Sequence, residues 1–249
     1  MDYVAALYEQ NRLFGELIRG ADPSAPVPTC PEWTIRQLFR HVGRGDRWAA
    51  QILRDRVEDY LDPRTVRDGK PPSDPDGAIE WLHGGARALV DAVADVGEET
   101  PAWTFLGPRP AAWWVRRRLH EATVHRADAA LALGVDYDLA APLAADAITE
   151  WLDRVAAEQR NGRSTGLDSG LTLHLHATED LGTAGEWMIR SAEDGLSWEH
   201  GHGKGTTAVR GRAVDLLLAL LRRRSGADVG VEILGVQEVW TNWLNHTPL

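Results

Sequence analysis

The sequence predicts an α+β protein: a helical bundle of the up-down type over residues 1–160, a linker at 161–170, and a small α/β domain over 171–249. Three observations predict it. Apolar residues recur every three or four positions through five segments before residue 160, the period of helices that bury one face. The stretch "NGRSTGLDSG" at 161–170 is a linker by composition. Beyond it, "LTLHLHAT" alternates strictly, as a half-buried strand does.

The elements follow in order. A first helix is expected over 2–19, with Val4, Leu7, Leu13, Leu17 and Ile18 at helical spacing and Gly20 ending it. The Pro-rich loop "ADPSAPVPTCPEW" comes next. Thr34 then reads as an N-cap, and Gln37 completes a capping box. The second helix runs from Ile35 to about Asp55, with Ile35, Leu38, Val42, Ala49 and Ile52 on one stripe. Pro and Gly interrupt "YLDPRTVRDGKPPSDPDG". A third helix covers about 78–96 and a fourth about 111–133, stopped by Gly134. A fifth covers about 142–160, with Pro142 in its first turn. In the second domain, "EWMIRS" and "LSWEHG" flank "AEDG" as a hairpin. "TTAVRG" reads as a strand, "AVDLLLALLRRR" as an amphipathic helix, and "VEILG" with "VQEVWTNWLNH" as a final strand and helix.

Composition narrows the function. Of 249 residues, 43% are apolar and 26% charged, ordinary values for a globular protein. A net charge of −10 gives no basic footprint for nucleic acid. The single cysteine, Cys30, excludes a disulfide framework within the chain and an all-cysteine zinc site. The N-terminus has no basic n-region followed by an apolar h-region, and no apolar run reaches about 18 residues. A cytoplasmic protein is expected, with neither membrane nor nucleic acid as partner. The motifs of a serine hydrolase, a P-loop NTPase and a dinucleotide enzyme are absent. Eleven tryptophans are available to fill cores or line pockets.

The fourth helix holds the chemistry, in "RRLHEATVHR" at 117–126. At about 100° per residue, Trp114, Arg117, Glu121, His125, Asp128 and Ala132 fall within about 40° of one line. Such a stripe has two readings. Facing water, Glu121 and His125 form a surface pair worth a few tenths of a kcal/mol. Facing the bundle, they are two ligands in need of a third. Catalytic zinc takes three protein ligands and keeps one position open, and facing helices supply ligands to a shared site. His41 lies on the flank of the second helix's apolar stripe, near Leu38 and Gly45, where a glycine one turn away leaves room for approach. Alone, it reads equally as a hydrogen-bonded core histidine. His120 is one residue off the Glu121/His125 face. The pairs His174/His176 and His200/His202 alternate along strands, as chelators do and as solvated faces do.

"VPTCPEWTIRQLFRHV" (27–42) and "RRRLHEATVHRADA" (116–129), taken together, resemble the mycothiol-dependent maleylpyruvate isomerase family, a branch of the DinB-like four-helix metalloproteins. The tail "GTTAVRGRAVDLLLALLRRR" is similar to that family's small C-terminal α/β domain. The resemblance implies that His41, Glu121 and His125 bind a divalent metal, usually zinc, between the helices. It implies that Arg117 and Arg126 lie close to it, that Cys30 and Trp33 shape a structural turn, and that mycothiol is the cosubstrate.

A zinc ion so held would lower the pKa of a bound water or thiol. A metal-bound thiolate attacking a small electrophilic substrate leads either to isomerisation about a double bond or to S-transfer. Arg117 and Arg126 are the expected catalytic clamps for the substrate's carboxylate, with Arg118 pointing about 60° away from the ligand line. Trp114 and Arg117 are expected to contact the thiol, and Trp33 or Trp48 to close the pocket. The C-terminal domain would cap the cleft or bind the thiol. Two other readings stay open: a metal-binding regulatory or binding protein on the same scaffold without catalysis, and a metal-dependent hydrolase that needs no thiol.

Overall fold

The computed structural model of the chain describes residues 1–160, 166–192 and 195–247. It forms two compact units, 1–137 and 138–249. The first is helical: α1 (Tyr3–Ile18), α2 (Ile35–Arg54), α3 (Pro75–Val96), a two-rung ladder of β1 (Pro101–Ala102) and β2 (Arg109–Pro110), then α4 (Trp113–Leu133).

Local chemistry sets the helix ends. Thr34 and Gln37 make the expected reciprocal capping box of α2. Helix α3 starts earlier than its apolar period suggests, because Asp74 accepts from Gly77 N at 2.6 Å and Pro75 takes the first helical position. Gly134 ends α4 in the left-handed region, at φ 65°. Helix α2 packs on α3 and α4, and α1 packs on α4 and α3. Their shared core includes Phe14, Leu38, Phe39, Val42, Trp81 and Leu82, closed on the α4 side by Ala122 and Ala129. Small residues there let α4 approach closely.

The second unit contains α5 (Ala141–Arg160), β3 (Thr172–Ala177), β4 (Glu186–Ala192), β5 (Gly195–His200), β6 (Thr207–Gly211), α6 (Ala213–Leu220), α7 (Gly226–Val229), β7 (Glu232–Gly235) and α8 (Gln237–His246). The sheet order is β5-β4-β3-β6-β7. The β3–β6 pair is parallel and the other pairs are antiparallel. Alternation puts Leu173, Leu175, Trp187, Ile189 and Val209 on one buried face. Helices α5 and α6 cover that face, and Trp187 Nε1 donates to Thr149 Oγ1 of α5 at 2.9 Å.

Helix α5 therefore differs from expectation. Its sequence placed it in the helical domain, with a boundary at 160. Its contacts are with α6 and β5, so the boundary falls at 137/138. A 3.6-residue period shows that a helix buries a face, not what the face is buried against. Of the expected linker, 161–165 lies outside the described residues, as do 193 and 194 of the "AEDG" turn. No helix among the described residues is long and apolar enough to cross a membrane.

Candidate metal centre

Helices α2 and α4 bring His41, Glu121 and His125 together. Glu121 Oε2 lies 3.2 Å from His41 Nε2 and 3.4 Å from His125 Nε2. One donor atom from each residue falls within 4.8 Å of the others. The imidazole planes stand at 84°, with centroids 4.8 Å apart. The helix face is not a wet stripe, since the side chains of His125 and Glu121 are 10% and 20% exposed. Burial, followed by the charges of His125, Arg118, Arg44 and Arg117, holds His41 far below the ordinary imidazole range. It is a neutral ring at pH 7, the form that ligates metals.

The second nitrogen of His125 is also committed. Nδ1 donates to Asp128 Oδ2 at 2.8 Å, and Asp128 is fully buried. Its Oδ1 accepts from Thr29 Oγ1 at 2.6 Å, and the Cys30 thiol lies 3.7 Å from Oδ2. A carboxylate on Nδ1 fixes the tautomer and leaves the Nε2 lone pair facing Glu121 and His41. Thr29 and Cys30 reach α4 because their loop is tied down. Val27 N donates to Trp33 O, Cys30 N to Val27 O and Trp33 N to Cys30 O, all within 2.8–2.9 Å. The turn sets the Trp33 ring 4.7 Å from His41 and 5.9 Å from His125, a wall beside both.

The arginines divide. Arg117, one turn before Glu121, is buried and hydrogen-bonds Glu121 Oε1. Arg118 donates to Asp46 Oδ1 at 2.8 Å and to Val42 O at 3.0 Å, and reaches Glu121 Oε2 at 3.5 Å. Burial raises the Asp46 carboxyl, and Arg118 opposes this. The space at Gly45 belongs to this guanidinium: a Cβ there would stand 2.3 Å from Arg118 Nη2. Arg126 turns to α1, donating from Nε to Gln10 Oε1 at 2.9 Å, and lies 4.4 Å over the Tyr137 ring.

Trp114 is also placed otherwise than its position on the stripe suggests. It is fully buried, its Nε1 donates to Trp103 O at 3.1 Å, and its ring packs against Trp48, Trp113 and Phe105. It has no open face for a thiol. The stripe is real, but one turn beyond Arg117 it runs under the β1–β2 segment. Trp48 is likewise tied, its Nε1 to Leu61 O at 2.8 Å. Asp128 is the site residue whose role sequence reasoning missed. Its signal was present, because it lies three residues after His125 on the ligand line. Thr29, far off in sequence, gave none.

A helical unit that brings two histidines and one carboxylate together, followed by a mixed-sheet unit, defines a two-domain α+β protein. The family model described as mycothiol maleylpyruvate isomerase N-terminal domain matches residues 4–130, and that of the MDMPI C-terminal domain matches 142–242. The chain belongs to the mycothiol maleylpyruvate isomerase family. The second match takes in α5, as the contacts do. Two solved structures of a mycothiol-dependent maleylpyruvate isomerase, one of them a histidine-to-alanine mutant, share the fold with TM-score 0.61. Each match covers 99% of this chain and 95% of the other, at 15% identity, or 14% for the mutant. Uncharacterized proteins from two Mycobacterium tuberculosis strains, CDC 1551 / Oshkosh and ATCC 25618, are 28% identical over 134 residues. That alignment takes in 52% of this chain and spans 64% of the length of those relatives.

Proposed function

We propose that the chain is a zinc- and mycothiol-dependent enzyme acting on a small electrophile, as an isomerase of the maleylpyruvate type or an S-transferase. One observation carries the reading. Three donors from α2 and α4 converge on one point, while a buried carboxylate holds the far nitrogen of His125. The donor set suits zinc, with two imidazoles and one carboxylate from the protein and a position left for a small ligand. On this reading α1–α4 form the DinB-like four-helix bundle, and the protein works in the cytoplasm.

Zinc held by His41, Glu121 and His125 would supply a Lewis acid that keeps a thiol deprotonated at neutral pH. The chain's residues do the rest. Asp128 keeps the His125 proton on Nδ1. Trp33 shields one side of the centre from water. Arg117, beside Glu121, offers a guanidinium to a substrate carboxylate. Arg126 acts at one remove, holding α4 to α1. In isomerisation, the thiolate sulfur bonds to one carbon of an activated cis double bond. The remaining single bond rotates, and the sulfur leaves with its electron pair, so the thiol returns unchanged. In transfer, the new S–C bond forms as a leaving group departs with the bonding pair.

The test is zinc-loaded protein with mycothiol and maleylpyruvate, followed by NMR for the trans product and by mass spectrometry for a thioether. Conversion that requires the thiol and disappears in Glu121→Gln supports the reading. Calorimetry showing no mycothiol binding to zinc-loaded protein overturns it.

A further inference from the structure

We propose a second divalent-cation site, on the sheet face of the second unit that α5 and α6 leave uncovered, formed by His174, His176, Glu186 and His202 and closed by zinc. The register of the sheet assembles it. His174 and His176 point to the same face of β3, and Glu186 of β4 stands directly opposite His176. The fourth residue arrives from the connection between β5 and β6. Strand β5 ends level with Leu175, and β6 begins level with Leu173 on the far side of β3. The chain must therefore cross the sheet face between them, through "GHGKG" at 201–205. Its glycines allow this: a Cβ on Gly203 would stand 3.2 Å from Met188 Sδ, and one on Gly205 3.1 Å from His174 N. The crossing delivers His202 above Glu186.

The donors converge on a point. Glu186 Oε2 lies 2.7 Å from His202 Nδ1, 2.9 Å from His174 Nε2 and 3.6 Å from His176 Nδ1. One donor atom from each of the four residues falls within 4.8 Å of the others. A carboxylate oxygen has two lone pairs, so three ring nitrogens exceed its capacity as an acceptor, and the third already sits beyond hydrogen-bonding range. Two of the rings hydrogen-bond this oxygen and the third stands just outside that range, so three imidazoles converge on one carboxylate oxygen. Tetrahedral zinc needs its ligands about 3.3 Å apart, a value that the observed 2.7, 2.9 and 3.6 Å contacts to Glu186 bracket. His202, on an exposed crossover with its side chain 76% exposed, can supply the adjustment. Burial holds His174 below the usual imidazole range, against the pull of Glu186. Neutral imidazole and carboxylate are the forms that ligate metals.

Four protein ligands complete a tetrahedral shell, which makes the site structural. Its effect is to fasten the glycine-rich crossover to the sheet. The histidine pairing implied by alternation along β5, His200 with His202, is not what forms; His200 Nδ1 instead bonds Glu186 O at 3.1 Å.

The experiment is zinc titration of the chelator-stripped full chain against a chromophoric competitor. Wild type is expected to take two equivalents. Glu121→Gln, which disables the α2–α4 centre, should take one. Glu121→Gln combined with His202→Ala, or with His176→Gln, should take none. His202 is exposed, so its loss tests binding and not folding. A second readout is tryptic cleavage after Lys204 in Glu121→Gln, slowed about 100-fold at zinc 100 times Kd, as expected for an opening linked to binding. Glu121→Gln binding no zinc, or retention of its equivalent in both double variants, overturns the proposal.

Discussion

Asp128→Asn tests the candidate centre without removing a ligand. Asp128 is fully buried, accepts from His125 Nδ1 at 2.8 Å and from Thr29 Oγ1 at 2.6 Å, and sits in water's absence where neither bond is screened. Asparagine keeps the shape. Its carbonyl can still accept from His125 and its amide can meet the Thr29 hydroxyl, which turns to accept, so the fold should survive. The charge is lost. A hydrogen bond to a charged group contributes about 1.5–3 kcal/mol. At about 1.4 kcal/mol per factor of ten, that is roughly 10- to 100-fold in zinc affinity, the range found when partners behind metal-bound histidines are altered. The assay is chelator competition in a His202→Ala chain, so that only the α2–α4 centre is titrated. An Asp128→Asn affinity within about twofold of its parent would refute the claim that the Asp128–His125 bond prepares the ligand, because the cited bond energy predicts a larger loss.

Four further outcomes are expected. Asp46→Ala strands the buried Arg118 guanidinium and should destabilise the first unit by about 3–5 kcal/mol in urea unfolding; a loss under about 1 kcal/mol would mean water replaces the carboxylate. The metal-free chain should lose stability as pH falls below 6.5, the ordinary histidine value, because His41 stays neutral when folded while the unfolded chain takes up the proton. His41→Gln should flatten that fall, and an unchanged pH profile would count against a neutral His41. Thr149→Val removes the acceptor of the buried Trp187 Nε1 and should cost about 1–3 kcal/mol in the second unit's transition, with no cost implicating water as the partner. Arg126→Ala should leave zinc affinity unchanged while weakening the α1–α4 contact; a tenfold drop in affinity, about 1.4 kcal/mol, would return Arg126 to the centre.

The ligand line on α4 and the capping box of α2 were legible because both are local. The distances that define them are set by helix geometry within a few residues. His41 could be proposed from its place on a stripe flank. What faced it depended on how α2 and α4 cross, which no spacing encodes. Gly45 shows the limit: the sequence marks a close approach, and only the structure identifies the visitor as Arg118. Trp114 shares the ligand line but lies where the loop before α4 folds over it, and Arg126 points toward a helix more than a hundred positions away in sequence. On the sheet, alternation correctly put His174 and His176 on one face. His202 joined them through a chain crossing that depends on strand order, a property absent from any single strand.

The buried Asp46–Arg118 pair sits about one helical turn from His41 on α2 and from Glu121 on α4. It works as a keyed joint. Sliding either helix by one residue, about 1.5 Å and 100°, would break the pair as it parted His41 from Glu121. The pair therefore holds the two helices in register through protein contacts, and on the proposed reading the ion meets a seat already cut to shape. Loading and stripping the metal should then be events of a standing fold, unlike the zinc fingers that collapse without theirs. On the proposed reading, such a protein can stand empty and begin work when zinc arrives.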